Sequence, residues 1–266
     1  MPHITLDEEA TAALEARGHE IFDGLLEIRM FGYGLGFNLW DVISMWHSVE
    51  ACLLDLIERP DFIHRLMRRY TDALFLTLDH LEAHGYLDGP QSIIHCTGAW
   101  SDELPAPGYD PARPRARDQW TLGMAQIFSS VSPAMHKEFE IDYAIPWYAR
   151  FGLGYYGCCE PLDRKIDIVR LLPNVRKVSM SPWVDVERGA EGLGRDYVFS
   201  RKPAPVRIAG NSVDWAGVEA DLRTTRAACA RHGCPLEFIL KDISTLQYHP
   251  ERLWQWADLA MRVAEG

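Results

Sequence analysis

The residues most able to do chemistry lie in the segment GLGYYGCCEPL, residues 152–162, where two adjacent cysteines precede a glutamate. A thiolate is a nucleophile and a zinc ligand, and a nearby carboxylate can bind metal or exchange protons. Adjacent residues of a strand point to opposite faces, so Cys158 and Cys159 share one cavity only if the chain has left β geometry there. We expect one reactive thiol and one structural thiol, with Glu160 near the cap of a helix that begins at Pro161.

Other ionisable and aromatic side chains follow short apolar runs elsewhere in the chain. We interpret these runs as parallel strands, whose carboxyl ends form the usual ligand site of α/β folds. The candidate catalytic residues are Glu160, Lys202, Lys241 and Asp242, the candidate substrate-binding residues are His95, His136 and Trp183, and the candidate metal ligands are Cys158 and Cys159. The two lysines would attract a carboxylate or phosphate group of a substrate. The structural alternative is that these lysines form ion pairs with the two carboxylates.

A metal site at the paired cysteines needs more ligands than the segment supplies. Catalytic zinc usually takes three protein ligands, and cysteine with glutamate is an incomplete set. His95, Cys96 or His136 would have to complete it, although His136 has the alternative of a local hydrogen bond in the first turn of its helix. A vicinal disulfide and a dinucleotide-binding role for GLGYYG are the least favoured interpretations.

Composition limits the class of protein. The chain has 266 residues, of which 47% are hydrophobic and 24% charged, which is ordinary for one large globular domain. Its net charge of −11 repels polyanions, so we expect no nucleic-acid partner. The acidic start lacks a signal-peptide pattern and no long apolar run follows, so we expect a cytoplasmic protein without a membrane partner. Six cysteines are too few for a disulfide framework and are expected to be thiols.

Hydrophobic periodicity predicts an alternation of strands and helices. A helix is predicted over 6–24, a strand over 25–32, and two helices over 41–85 that break near Pro60 and end at Gly85. Further strands are predicted within 92–100, 121–131, 152–159, 175–183, 196–203 and 236–244, and helices within 133–150, 161–172, 185–193, 214–232 and 249–264. Residues 101–120 are proline-rich and are predicted to form a lid over the carboxyl ends of the strands.

The order of these elements indicates an α/β fold, either a doubly wound sheet or a (β/α)₈ TIM-type barrel. Six strands are clear and 25–32 makes a plausible seventh, whereas a barrel has eight. A barrel built from this chain would therefore lack the first βα unit, be a natural short form, or close differently. We treat 1–266 as one domain. It comprises an N-terminal helical part over 1–90, with the possible first strand, and regular βα repeats over 91–266.

Four segments, taken in order, resemble the uroporphyrinogen decarboxylase superfamily. They are AQIFSSVSPAMHKEF, YYGCCEPLDRKIDIVRLLPNVRKVSMSPWVDV, YVFSRKPAP and ILKDIST, and the resemblance extends from about Leu26 to the end of the chain. It implies a (β/α)₈ barrel and one of two activities, namely porphyrinogen decarboxylation or methyl transfer between a corrinoid protein and an acceptor. The Arg-Gln-Ala-Gly-Arg loop of the decarboxylases is absent, so decarboxylation of porphyrinogens is not expected.

The resemblance therefore implies a corrinoid-linked methyltransferase or demethylase, with cobalamin supplied by a partner protein and zinc bound at the thiols. The His-x-Cys zinc motif of such enzymes falls on Tyr156, Gly157 and Cys158, so the cysteine matches and the histidine does not. The later zinc cysteine is also missing. Two alternatives remain, a metal-independent decarboxylase or lyase of a small carboxylate, and a non-catalytic barrel that binds a tetrapyrrole, a corrinoid protein or a paralogue. A homodimer is expected because barrels of this class often dimerise.

Overall fold

Short apolar runs form a five-stranded parallel sheet in the computed structural model, which describes residues 1–266. The strands are β1 Ile93–Ile94, β2 Thr97–Gly98, β3 Trp120–Gly123, β4 Leu153–Tyr156, β5 Val175–Met180, β6 Val198–Arg201 and β7 Leu236–Phe238. The α-helices are α1 Glu8–Phe22, α2 Leu39–His47, α3 Val49–Glu58, α4 Pro60–His84, α5 Pro133–His136, α6 Asp142–Tyr148, α7 Ile166–Val169, α8 Val186–Leu193, α9 Val206–Ala209, α10 Trp215–His232 and α11 Glu251–Glu265. A π-helical turn, Lys137–Ile141, joins α5 to α6. None of these helices combines the length and apolar character that a membrane crossing requires.

The main sheet has the order β3-β4-β5-β6-β7, and each neighbouring pair is parallel. Every connection in it is therefore a crossover, which matches the predicted alternation of strands and helices. An isolated parallel bridge between Phe37 and Gly123 continues the sheet beyond β3. The structure is thus α/β, and closure into an eight-stranded barrel stays a prediction.

Both faces of this sheet are covered. One face packs against the helices in a cluster of 36 buried residues that includes Tyr156, Val178 and Phe199. The other face carries a smaller cluster that includes Trp120 and Tyr155 and lies beneath the β1–β2 hairpin. Strands buried on both faces are apolar along their whole length, which is why they appear in the sequence as continuous runs.

Local signals placed several helix ends correctly. Ser132 Oγ accepts a hydrogen bond from Met135 N at 3.2 Å, and Pro133 occupies the first turn of α5 as predicted. Gly85 ends α4 in the left-handed conformation, with φ of 71°. The long helix region breaks once more than predicted, at Ser48, whose φ is 62°. Helices α8, α10 and α11 also form within a few residues of the predicted ranges.

Several predicted elements are wrong. Residues 25–32 form no strand, and 92–100 is the antiparallel β1–β2 hairpin, which turns at His95 with φ of 54°. The strand predicted within 236–244 ends at Phe238. No helix begins at Pro161, since the next helix is α7.

The predicted lid over 101–120 is also misplaced. Glu103 forms an ion pair with Arg176 near the amino end of β5, and the loop packs on Gly152 before β4 begins. The hairpin explains this, because its second strand returns the chain to the amino ends of the parallel strands. The loop therefore lies at the opposite end of the sheet from Cys158.

The ring of Tyr148 packs on two strand glycines, which gives a test of the packing between sheet and helices. Its Oη donates to Tyr155 O at 2.8 Å, and a Cβ added at Gly154 would lie 2.5 Å from its Cε1. We expect Gly154→Ala to lower the free energy of unfolding by about 1–3 kcal/mol in urea titrations, because the anchored ring cannot move aside. Gly210→Ala is the matched control, since its nearest heavy atom is 3.4 Å from the added Cβ. Equal stability of the two variants would contradict this packing account.

Candidate functional site

Cys158 reaches its position because β4 ends in a turn that a side chain would obstruct. Gly157 follows the strand with φ of 94°, and a Cβ there would collide with Leu162. The chain thus leaves β geometry before the two cysteines, and their Sγ atoms lie 3.6 Å apart. Cys158 is 3% exposed and Cys159 is half-buried, so the two neighbouring thiols lie at different depths in the same site.

Two further loops bring a histidine and a lysine to the Cys158 thiol. His95 Nε2, from the β1–β2 turn, lies 3.2 Å from Cys158 Sγ, and Lys241 Nζ, from the loop after β7, lies 2.8 Å from it. The lysine and histidine nitrogens are themselves 3.4 Å apart. Both His95 and Asp242 adopt left-handed backbone conformations, with φ of 54° and 60°. Such strained residues are often retained at functional sites.

The charges around the thiol follow from burial and from neighbours. Burial, with Lys202 and Lys241 close by, lowers the pKa of His95 to about 4, so its imidazole is neutral at pH 7. Burial also opposes the charge of Lys241, but its hydrogen bond to Cys158 and the Cys158 charge raise its pKa above the ordinary value. The Lys241 ammonium is therefore the cation that directly contacts the thiol sulfur.

The second cysteine behaves differently. Burial, together with the charge of Cys158 beside it, raises the pKa of Cys159 to about 11. Its Sγ lies 3.9 Å from Asp242 Oδ2, and that carboxylate is 3.8 Å from Lys241 Nζ and 58% exposed. Cys159 thus stays a neutral thiol at the open side of the site, and the expected division into one reactive and one structural thiol stays a prediction.

Lys202 lies beneath the site and holds its backbone. Its side chain is 3% exposed, and Nζ donates to Cys158 O at 3.0 Å and to Ser179 Oγ at 2.8 Å. Nζ also lies 5.5 Å from the centre of the Tyr155 ring, within cation–π range. These partners are a carbonyl, a hydroxyl and a ring, so the ammonium is buried without a carboxylate to balance it.

Glu160 is a positioning group rather than a helix cap. Its buried carboxylate accepts hydrogen bonds from Cys158 N at 2.9 Å and from Ala125 N at 3.2 Å. Burial raises its pKa, although these N–H groups act in the opposite direction. The carboxylate therefore fixes the turn from behind and does not contact either thiol sulfur, contrary to the expected approach of thiol and carboxylate near a helix N-terminus.

Two predicted site residues lie elsewhere. His136 is buried on the helix side of the sheet, where its Nε2 lies 2.7 Å from Tyr156 Oη and its Nδ1 lies 3.2 Å from Lys165 Nζ. Trp183 follows β5 and is 78% exposed, at the edge of a separate cavity. The structure thus groups His95, Lys202, Lys241 and Asp242 around the two cysteines, and leaves His136 and Trp183 outside that group.

The sequence analysis missed several buried polar residues. Ser179 on β5 and Tyr155 on β4 face the thiol side of the sheet, and Tyr155 Oη lies 3.2 Å from Ser200 Oγ. The alternation of side chains along β4 and β5 could have identified Tyr155 and Ser179, because residues two apart on a strand share a face of the sheet. Lys165 had no such signal, since its burial depends on contacts with Phe128 and His136 from distant parts of the chain.

No group of three or more His, Cys, Asp or Glu side chains is arranged to hold a metal ion. Lys241 Nζ occupies the position beside Cys158 Sγ where a metal would compete for the sulfur. The residues, as placed, therefore do not fit a zinc centre.

Comparisons of the chain with protein families, with curated proteins and with solved structures find no match.

The neutral state of buried His136 predicts a pH dependence of stability. Burial, and then the charge of Lys165, lower its pKa to about 3, so between that pH and about 6.5 the unfolded chain binds a proton that the folded chain does not. This contribution is complete above pH 6.5 and is lost as the pH falls. We expect His136→Gln to reduce the loss of unfolding free energy on acidification by up to about 1.4 kcal/mol per pH unit.

Urea titrations from pH 7 to pH 4.5 measure this difference in slope. The exposed His84 offers a matched substitution, His84→Gln. A His136→Gln protein whose stability falls as steeply as that of the His84→Gln protein would argue against a neutral buried imidazole.

Proposed function

We propose that this protein is an enzyme in which the Cys158 thiolate attacks a small anionic substrate at the carboxyl ends of the parallel strands. The observation that carries the proposal is the contact of Cys158 Sγ with Lys241 Nζ at 2.8 Å and with His95 Nε2 at 3.2 Å. An adjacent ammonium stabilises the thiolate, which is the nucleophilic form of cysteine. A neutral imidazole at the same sulfur keeps the thiol oriented without adding a second positive charge.

The balance of charge favours an anionic substrate. Lys202 and Lys241 supply two ammonium groups, and the Cys158 thiolate offsets one of them. Of the two remaining carboxylates, Asp242 is 58% exposed and therefore well solvated, and Glu160 is engaged by two backbone N–H groups behind the turn. A buried cation without a counter-ion is costly, so a carboxylate or phosphate on the substrate would be stabilised here.

The reaction class that suits this arrangement is group transfer to sulfur. Sγ attacks an electrophilic carbon, a sulfur–carbon bond forms, and the bond to the leaving group breaks with its electron pair remaining on that group. Lys241 lies next to the sulfur and can donate a proton to the departing group. Because Cys158 is 3% exposed, a substrate has to enter from the side of Cys159 and Asp242.

Methyl transfer from a corrinoid protein belongs to the same reaction class, with a methyl group as the electrophilic carbon. It is our second candidate, and the observation that favours it is the thiol pair with Sγ atoms 3.6 Å apart beside His95. The sequential parallel strands also suit the (β/α)₈ barrel of the uroporphyrinogen decarboxylase superfamily, which we propose as the complete fold. The first candidate, attack by the Cys158 thiolate, does not use zinc.

Alkylation rates test the proposed nucleophile. We expect Cys158 to react faster than Cys96 and Cys159, and Lys241→Met to slow its reaction with iodoacetamide by about tenfold or more, since the ammonium no longer stabilises the thiolate. With iodoacetate the loss should be larger, because the reagent is an anion and the variant has lost a cation. Peptide mass spectrometry after timed quenching gives the rate at each cysteine.

Lys137→Met removes an exposed lysine far from the thiols and is the matched control. The nucleophile assignment fails if Lys241→Met and Lys137→Met react at the same rate with both reagents, or if Cys96 reacts first.

Metal analysis separates the two candidates. Protein incubated with excess zinc and then desalted should retain no zinc under the thiolate proposal, because Lys241 occupies the sulfur. Elemental analysis that finds one zinc per chain, lost in Cys158→Ala and retained in Cys96→Ala, would favour methyl transfer at a zinc centre instead.

A further inference from the structure

We infer that a cavity separate from the two thiols binds a phosphate monoester that carries a planar ring. It has a volume of about 530 Å³ and opens between the loops that follow β3, β4 and β5. Seven of its eleven lining residues are polar or charged, and two are hydrophobic. Neither cysteine lines it, and no function proposed above uses it.

The charges of the cavity favour an anion. Its lining holds three cations, Arg164, Lys165 and Arg188, and two acids, Asp163 and Asp185, which leaves one positive charge on a chain whose net charge is −11. Arg188 accounts for both acids, since it lies 2.9 Å from Asp163 and 3.7 Å from Asp185. The other two cations therefore have no carboxylate partner in the cavity wall.

Of these two cations, Lys165 gives the stronger evidence for an anion site. Its side chain is buried, and Nζ donates to Phe128 O at 2.6 Å and contacts His136 Nδ1 at 3.2 Å. An ammonium has three N–H donors, so one remains for a ligand in the cavity that Lys165 lines. Burial lowers the pKa of Lys165 to about 8, although the charge of Glu160 acts in the opposite direction, so an anion bound beside the amine would further stabilise its charged form.

The form of the donors suits a phosphate group. The exposed guanidinium of Arg164 makes no hydrogen bond within the protein and offers the paired donors that phosphate oxygens accept. Ser130 adds a hydroxyl that is likewise without a partner. A phosphate monoester presents three terminal oxygens, enough to engage guanidinium, ammonium and hydroxyl together.

Trp183 indicates what the phosphate would be attached to. Its indole is 78% exposed and lines the same cavity, so it offers a flat apolar surface on which a planar ring can stack. A volume of about 530 Å³ is in the range of small-molecule sites and is large enough for a mononucleotide.

Calorimetric titration with adenosine monophosphate, inorganic phosphate and adenosine tests the inference. We expect the nucleotide to bind more tightly than either part alone. Arg164→Ala should weaken binding of the nucleotide and of phosphate by about tenfold, as expected for loss of a charge-assisted pair of hydrogen bonds. Trp183→Ala should weaken binding of the nucleotide while leaving that of phosphate unchanged.

The exposed residues Arg69 and Trp254 provide matched controls, Arg69→Ala and Trp254→Ala, and circular dichroism checks that each variant folds. Cys158→Ala should bind the nucleotide as the parent protein does, which keeps this result independent of the proposed thiolate chemistry. The inference is overturned if no ligand binds at millimolar concentration, if Arg164→Ala binds as Arg69→Ala does, or if Cys158→Ala abolishes binding. Acetate that competes as well as phosphate would overturn the assignment to phosphate.

Discussion

The peptide groups of Cys158 are held from both sides, and the geometry of the site depends on this constraint. Its N–H donates to Glu160 at 2.9 Å, while its carbonyl accepts from Ser179 at 2.6 Å and from Lys202 at 3.0 Å. All three partners are buried, and buried polar groups are costly unless they are paired. One residue therefore satisfies a carboxylate and an ammonium that do not contact each other. Removing Glu160 would leave two buried N–H groups without an acceptor, and Lys202 and Ser179 also hydrogen-bond each other, so a connected network fixes the position of the thiol.

Strand β4 separates two polar networks. Its last two residues point to opposite faces, so Tyr155 lies on the thiol side and Tyr156 lies among the helices. On the first side Tyr155 contacts Ser200 and lies under Lys202. On the second side Tyr156 contacts His136, which in turn contacts a buried lysine. The thiol and this helix-side network are consequently distinct environments that share a single strand.

The sequence predicted the features that depend on neighbouring residues. Helix ends such as Ser132 and Gly85 are fixed by local hydrogen bonds and by backbone preference, and they formed as predicted. The proximity of Lys241 to Cys158 agrees with the rule that parallel strands end at the same edge, although the two residues are 83 positions apart in the chain. His95, which is 63 positions from Cys158, reaches the thiol from the turn of the antiparallel hairpin, and the rule does not explain its position.

The failed predictions depend on contacts between distant residues. Glu160 was expected near the cap of a helix at Pro161, but its carboxylate is taken by Cys158 N and by Ala125 N, which is 35 positions away. The chain leaves the sheet after Gly123, earlier than predicted, and Ala125 lies two residues beyond this point. The local sequence around Glu160 or around Ala125 does not reveal this hydrogen bond, because each residue taken alone could form an ordinary local hydrogen bond instead.

A second buried glutamate lies in the helix layer and interacts with Glu160. The π-helical turn places Glu140 in the core, where neither carboxylate oxygen has a hydrogen-bond partner. Burial, followed by the charges of Glu160 and Asp41, raises its pKa well above the ordinary range. Glu160 receives two N–H donors and Glu140 receives none, so of the two carboxyl groups Glu160 has the better stabilised ionised form.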